Sequence, residues 1–157
     1  MAKLLITDEP IDSSGALSVF HAAIDELNRR YGGSDEATHL NLDELKGPLG
    51  FFLVAREDGH LAGCVGVRPI SNPALFVGEI KRLWVRPDLR RSGVAYALMA
   101  DAEERAKALG YRQLYLETGY AQPEAQAFYK KNDWQPVEEF PPGAWSYPDA
   151  FLFTKIL

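Results

Sequence analysis

The sequence is short of the residues that hold a metal or staple a small fold. It has one cysteine, Cys64, and three histidines, His21, His39 and His60, among 157 residues. A lone thiol excludes a disulfide framework and a cysteine metal site. The histidines fall on a helix, a loop and a hairpin turn with no ligand spacing between them, so no metal is expected. No apolar run reaches membrane length and the first residues carry no charged-then-apolar leader, so no membrane contact and a cytoplasmic location are expected. An excess of positive charge is missing too. Seventeen Lys and Arg against 22 Asp and Glu leave a net charge of −5, which argues against nucleic acid as a partner. One local basic patch survives in that balance: Lys81, Arg82, Arg86, Arg90 and Arg91. Repeats, low-complexity tracts and interdomain linkers are absent. Residues 1–157 are expected to form a single domain, large enough to bury roughly 68–70% of the unfolded chain's surface.

What the sequence does have is one well-marked stretch, from Glu79 to Gly110. Its first part, up to Val85, is rich in β-branched and aromatic residues and stops at Pro87, as a strand does. Its last part carries Val94, Ala95, Leu98, Met99, Ala102, Ala106 and Leu109 at helical spacing and ends at Gly110. The loop between them holds Arg90, Arg91, Ser92 and Gly93. A strand, a tight glycine loop and a helix start make an anion site, because first-turn N–H groups are unpaired and the helix dipole favours negative charge there.

The remaining chain reads as alternating short elements. Lys3 to Thr7 is a strand, and Ala16 to Arg30 a helix with Leu17, Phe20, Ile24 and Leu27 on its apolar stripe. Asp12, Ser13 or Ser14 caps it, and Gly32-Gly33-Ser34-Asp35 ends it. Leu40 to Leu45 is a further short helix in a polar interval, Tyr31 to Leu49, that is either a mobile segment beside a ligand or a plain connector. Gly50 to Arg56 and Leu61 to Ile70 are strands joined through Asp58-Gly59, a hairpin signal. Leu75 to Val85 is the next strand, giving an antiparallel meander. After the Gly93–Leu109 helix come a strand (Tyr111 to Glu117), a helix (Pro123 to Lys131), a strand (Trp134 to Glu138), an aromatic and Pro-rich loop (Phe140 to Asp149) and a last strand (Ala150 to Leu157). The strand–helix–strand unit predicts one parallel pair. The expected fold is therefore α/β (α+β): a mixed, mostly antiparallel sheet with a central parallel pair and helices on both faces.

Val85-Arg86-Pro87 followed by Arg90-Arg91-Ser92-Gly93-Val94-Ala95 resembles the acetyl-CoA signature of the GNAT superfamily of N-acetyltransferases. The resemblance covers roughly residues 50 to 138 well and the first helices weakly. Glu79, eleven residues before Arg90, stands where many such enzymes carry a catalytic glutamate, and Phe128-Tyr129 followed by Trp134 resembles the Phe-Tyr-x-x-x-Gly-Phe stretch. Ala95 replaces the second glycine of the signature. Asp133 stands where glycine is usual and Trp134 where phenylalanine is, and Asn132-Asp133 tolerates the left-handed helix end that glycine would serve. The resemblance implies acetyl-CoA as co-substrate. It implies coenzyme contacts from Leu83, Trp84 and Val85 on the strand, and from Arg90, Arg91, Ser92, Gly93, Val94, Ala95 and Tyr96 at the loop and helix start. Catalysis would fall to Glu79 as base and Tyr129 as the acid near the sulfur, in direct attack by a primary amine within a ternary complex. The chain offers no nucleophile–base pair for a covalent route.

Blander readings stand beside these. Against the favoured catalytic reading, Glu79 would otherwise be a charge on the solvent side of a strand, and Tyr129 a core tyrosine with its hydroxyl reaching the surface. Trp84, Tyr120, Trp145 and Tyr147 either line an acceptor pocket or pack the sheet edge. Arg82 and Arg86 are surface charges or reach the coenzyme's 3′-phosphate. Cys64 reads as a buried inert thiol. At the level of function, a non-catalytic acyl-CoA sensor needs the loop and helix but neither Glu79 nor Tyr129, and a longer acyl donor is a third reading. The acceptor, a small amine or an exposed protein amine, is not legible. A homodimer is expected from the apolar last strand, Phe151-Leu152-Phe153, taken as an exposed edge.

Overall fold

A computed structural model describes residues 2–32 and 41–157. The expectations for Gly33, Ser34, Asp35, His39 and Leu40 lie outside these residues. The described chain forms β1 (Leu4–Asp8), α1 (Ser14–Arg30), β2 (Phe51–Glu57), β3 (His60–Pro69), β4 (Val77–Val85), α2 (Val94–Ala108), β5 (Gln113–Thr118), α3 (Pro123–Lys131), β6 (Gln135–Val137) and β7 (Phe151–Ile156). Short 3-10 turns occupy Leu42–Leu45, Pro73–Leu75 and Pro87–Leu89. One seven-stranded sheet runs in the order β1-β2-β3-β4-β5-β7-β6. Its pairs are antiparallel except β4 with β5.

Strand alternation sorts the core onto two faces. Phe51, Leu53 and Ala55 of β2 join Val65, Leu114 and Leu116 under α2 and α3, where Leu98, Met99, Ala102, Tyr129 and Trp134 are buried. Phe52 and Val54 face the other way, onto Val19, Phe20 and Ile24 of α1, with Cys64 sealed among them. Each large apolar side chain so buried contributes about 1.5–3 kcal/mol. Ser13 caps α1, its Oγ accepting from Ala16 N at 3.2 Å. Asp133 ends α3 at φ 71°, and Trp134 N bonds back to Tyr129 O at 3.0 Å. That is the left-handed stop a glycine would make.

Two features differ from the sequence reading. β7 is not an edge. It lies between β5 and β6, and the outer strand is β6, which contains Pro136. An exposed apolar last strand therefore gives no basis for a homodimer. Leu75 belongs to the 3-10 turn rather than to β4, because Phe76 takes φ 52° and reverses the chain before Val77.

The β4–β5 pair places the site. It is joined only at Val77–Gln113, Gly78–Leu114 and Glu79–Tyr115, although both strands run on. Arg82, at φ 57°, makes a bulge: Arg82 and Leu83 together oppose Val65 between the Gly66–Lys81 and Cys64–Trp84 pairs. A bulge bends the strand that carries it. β4 swings away from β5, and a slot opens through the sheet.

Candidate active site

The slot is a cleft of about 370 Å³. Its walls are Ile80–Trp84 of β4 and Leu116–Gly119 at the end of β5, runs that do not pair with each other. Leu27 of α1 and Tyr31 just after it cover one side, and Tyr147 and Asp149 complete the lining. Tyr129 reaches the cleft from α3 on the opposite face. The C-terminal end of α1 is tied down over it. Tyr31 Oη donates to Gln122 Oε1 at 3.1 Å and its ring meets Tyr120 edge-on, while Arg30 Nη1 donates to Ala121 O at 2.9 Å. A Cβ at Gly119 would stand 2.0 Å from Tyr31 Oη, so any larger residue here would push the Tyr31 ring aside.

Of the residues expected to hold the coenzyme, Leu83 and Trp84 line the cleft. Val85 does not: its side chain is in the core, and its carbonyl accepts from Arg90 Nε at 2.9 Å. Arg90 also reaches Glu26 of α1, which takes Trp84 Nε1 at 3.3 Å as well. Arg91 and Gly93 take positive φ, 64° and 93°. Ser92 Oγ turns back onto Leu89 O. The first bond into α2 is Ala97 N to Gly93 O at 3.0 Å, so the N–H groups of Val94, Ala95 and Tyr96 precede the helical ladder. Among the described residues nothing lies within 4 Å of a Cβ built on Gly93, leaving space over this helix start. Val94 is buried and lends only backbone, whereas Tyr96 is exposed. These residues lie beyond the cleft's lining, at the end of the strand that forms its wall.

Tyr129 is at the cleft as expected. It packs against Trp134 and Phe153, and burial pushes its phenol pKa up, so the hydroxyl stays protonated at neutral pH. Glu79 is placed differently. It is fully buried and does not line the cleft. Arg68, its direct partner across β3 and β4, donates to Glu79 Oε1 from Nε at 3.0 Å and from Nη2 at 2.8 Å. Lys81 Nζ stands 3.6 Å from the other oxygen, Oε2. Glu79 is a link in a line of alternating charge: Glu44, Arg68, Glu79, Lys81, Glu117. The two cleft-facing members are Lys81 and Glu117, with 4.0 Å between Nζ and Oε1, and Glu117 Oε2 accepts from Tyr147 N at 3.0 Å. Burial presses the Lys81 ammonium pKa down, and Glu79 and Glu117 oppose that.

Lys81 and Thr118 were not singled out from the sequence as site residues. Thr118 lines the cleft, buried, and its Oγ1 has no hydrogen-bond partner among the described residues. Lys81 shares a face with Glu79 by the two-residue period of a strand, but only the register shows that Arg68 and Glu117 flank that pair. Among the described residues no cluster of His, Cys, Asp and Glu is arranged to hold a metal, and no helix is long and apolar enough to cross a membrane.

The fold that holds this slot has known counterparts. The profile of the acetyltransferase (GNAT) family matches residues 19–134. An IAA acetyltransferase of Azospirillum brasilense is 38% identical over 111 residues, 69% of this chain and 71% of the relative. An acetyltransferase structure from Streptococcus agalactiae superposes with a TM-score of 0.80 over 98% of both chains at 15% identity. A GNAT family acetyltransferase from Elizabethkingia anophelis, solved with acetyl-CoA bound, gives 0.72 over 98% of both chains at 18% identity. The family match spans the slot, the helix start and α3 together, and on that ground the chain belongs to the GNAT acetyltransferases, enzymes that use acetyl-CoA as co-substrate for N-acetylation.

Proposed function

We propose that the enzyme transfers the acetyl group to a primary amine by direct attack, with both substrates in the β4–β5 slot. The observation that carries this is Tyr129 lining the slot from one face and the Lys81–Glu117 pair lining it from the other. An acetyl thioester threaded between the strands would have a proton donor on one side and a proton-accepting cluster on the other. Pantetheine is an amide chain, and the unpaired edge at Leu83 and Trp84 suits it as a strand edge suits an added strand. The pyrophosphate end would reach the N–H groups at Gly93–Tyr96. The elongated coenzyme would thus span the cleft and the helix start.

The amine loses a proton and attacks the thioester carbonyl. The carbonyl oxygen gains negative charge and a backbone N–H near Leu83 supports it. The carbon–sulfur bond then breaks, Tyr129 protonates the leaving thiolate, and the second proton shed by the nitrogen as the amide forms returns through cleft water to the tyrosinate. Glu79 takes part through Lys81, since its own carboxylate is shut off from the cleft. An acyl-CoA sensor would need neither Tyr129 nor the charged cluster at the slot. A cytoplasmic setting belongs to the same reading, because acetyl-CoA is an intracellular metabolite. The test is a panel of primary amines with acetyl-CoA, read by thiol release. Amine-dependent release is expected; coenzyme binding with no turnover on any amine would favour the sensor.

A further inference from the structure

Lys81 is the group whose chemistry the fold leaves unused. Its side chain is 8% exposed, yet it lines the cleft. Glu79 Oε2 at 3.6 Å and Glu117 Oε1 at 4.0 Å are both beyond hydrogen-bond distance, and among the described residues Nζ makes no hydrogen bond. An ammonium carries three donors and is strongly hydrated in water, so drawing it out of bulk water into the cleft wall is costly. The neutral amine is less demanding.

The surroundings also say which ligand group suits the site. The line Glu44, Arg68, Glu79, Lys81, Glu117 holds three carboxylates and two cations, and its cleft end is Glu117. Asp149 adds a carboxylate to the lining, and Glu26 on α1 is engaged by Arg90. Arg82 and Arg68 are the other cations close to Lys81. A carboxylate-bearing ligand group would be repelled by Glu117 and Glu79, whereas an alkyl ammonium is attracted. That ammonium cannot sit comfortably beside a second one. Its arrival disfavours the charged form of Lys81, in the direction burial already drives it.

We infer that Lys81, rather than either carboxylate, takes the proton from the acceptor amine. This rests on the reading of the slot as an amine acetylation site. One N–H bond of the acceptor ammonium breaks and its electron pair stays on nitrogen as the nucleophile. The lone pair on Lys81 Nζ forms the new N–H bond, so total charge is unchanged. Glu79 and Glu117 then flank the Lys81 ammonium, and the proton leaves through cleft water after the product departs. The match in basicity favours this route. An alkyl ammonium near 10.4 gives its proton far uphill to a carboxylate near 4.3, and much less so to a desolvated lysine.

The experiment is the pH dependence of kcat for wild type and three variants, with an amine that the wild type acetylates. If the wild type acetylates none, the underlying reading fails and this inference with it. Given a working wild type, Lys81→Met is expected to lose about 10²–10⁴-fold in kcat while KM for acetyl-CoA stays near that of the wild type. Lys81→Arg keeps the charge but has no neutral form at working pH, and is expected to be as impaired. Lys81→Cys treated with 2-bromoethylamine rebuilds a lysine-like side chain with a more acidic amine; it should recover activity with its acid limb at lower pH. Full activity in Lys81→Arg would overturn the inference and make Lys81 a positioning charge. An unmoved acid limb in the aminoethylated variant would overturn it too, even if Lys81→Met failed to fold.

Discussion

Arg68 closes on Glu79 with two hydrogen bonds to a single carboxylate oxygen, at 2.8 and 3.0 Å, and the two residues face each other directly across β3 and β4. Among the described residues the other oxygen of Glu79 is left to Lys81. Breaking one partner of a buried pair strands the other charge, which costs about 3–5 kcal/mol. Glu79→Gln is therefore expected to lower the melting temperature markedly, read by calorimetry. It should also shift activity. Glu79 holds the Lys81 pKa up, so its loss lets Lys81 deprotonate at lower pH and moves the acid limb of kcat downward. An upward shift would show that Glu79 acts by another route.

Gly93 starts α2 at φ 93° with space above it among the described residues. A β-branched residue is strained in that conformation and also fills the space a pyrophosphate would occupy. Gly93→Val is expected to fold, and to bind CoA at least tenfold more weakly by calorimetric titration. Wild-type affinity in a folded variant would remove the phosphate role of this turn.

Tyr129→Phe keeps the packing on Trp134 and Phe153 and removes only the hydroxyl. A thiolate is a fair leaving group, so the loss should be milder than that of the base: about tenfold in kcat, with KM for acetyl-CoA unchanged. Steady-state kinetics at saturating amine decides it, and an unchanged kcat would place the proton donor elsewhere.

Alkaline stability follows from burial. Tyr111 and Tyr129 both have their pKa pushed up by desolvation. The unfolded chain releases those protons near pH 10, while the native protein retains them. A raised folded-state pKa stabilises fully below the unfolded value and is lost as pH rises beyond it. Lys81, held down by burial, has the opposite sign, but its gain is complete by about pH 10.4. Above that, stability should fall by up to about 1.4 kcal/mol per pH unit for each tyrosine. Denaturant melts between pH 9 and 12 measure it, and the slope should shrink in Tyr129→Phe.

Most of the fold was legible because its elements are strongly periodic and its turns carry Gly, Pro, Asn and Asp. The parallel pair followed from the strand–helix–strand order, and the stop at Asp133 from what its side chain tolerates. The order of the last two strands was not legible. β7 pairs with β5 through a return across the sheet, and nothing local in Phe151-Leu152-Phe153 distinguishes an edge from an interior strand. The site was half legible. Gly93 and Tyr129 sit in local patterns that survive without knowledge of the fold. Glu79, Lys81, Arg68 and Glu117 are separate charges on three strands, and only register makes them one line. A charged residue on a strand reads as solvent-facing until its neighbours are known. The bulge at Arg82, which opens the slot, has no glycine to announce it.

Cys64 is the chain's only thiol, and it is sealed between α1 and the sheet with its pKa pushed well up by desolvation. A disulfide reagent added to the working enzyme thus meets a single kind of reactive sulfur, the coenzyme released at each turnover. The same reagent on a denatured sample should count one equivalent per chain. Product formation and loss of the native state would then be read in the same cuvette with one dye, the first as a steady rate and the second as a stoichiometric step.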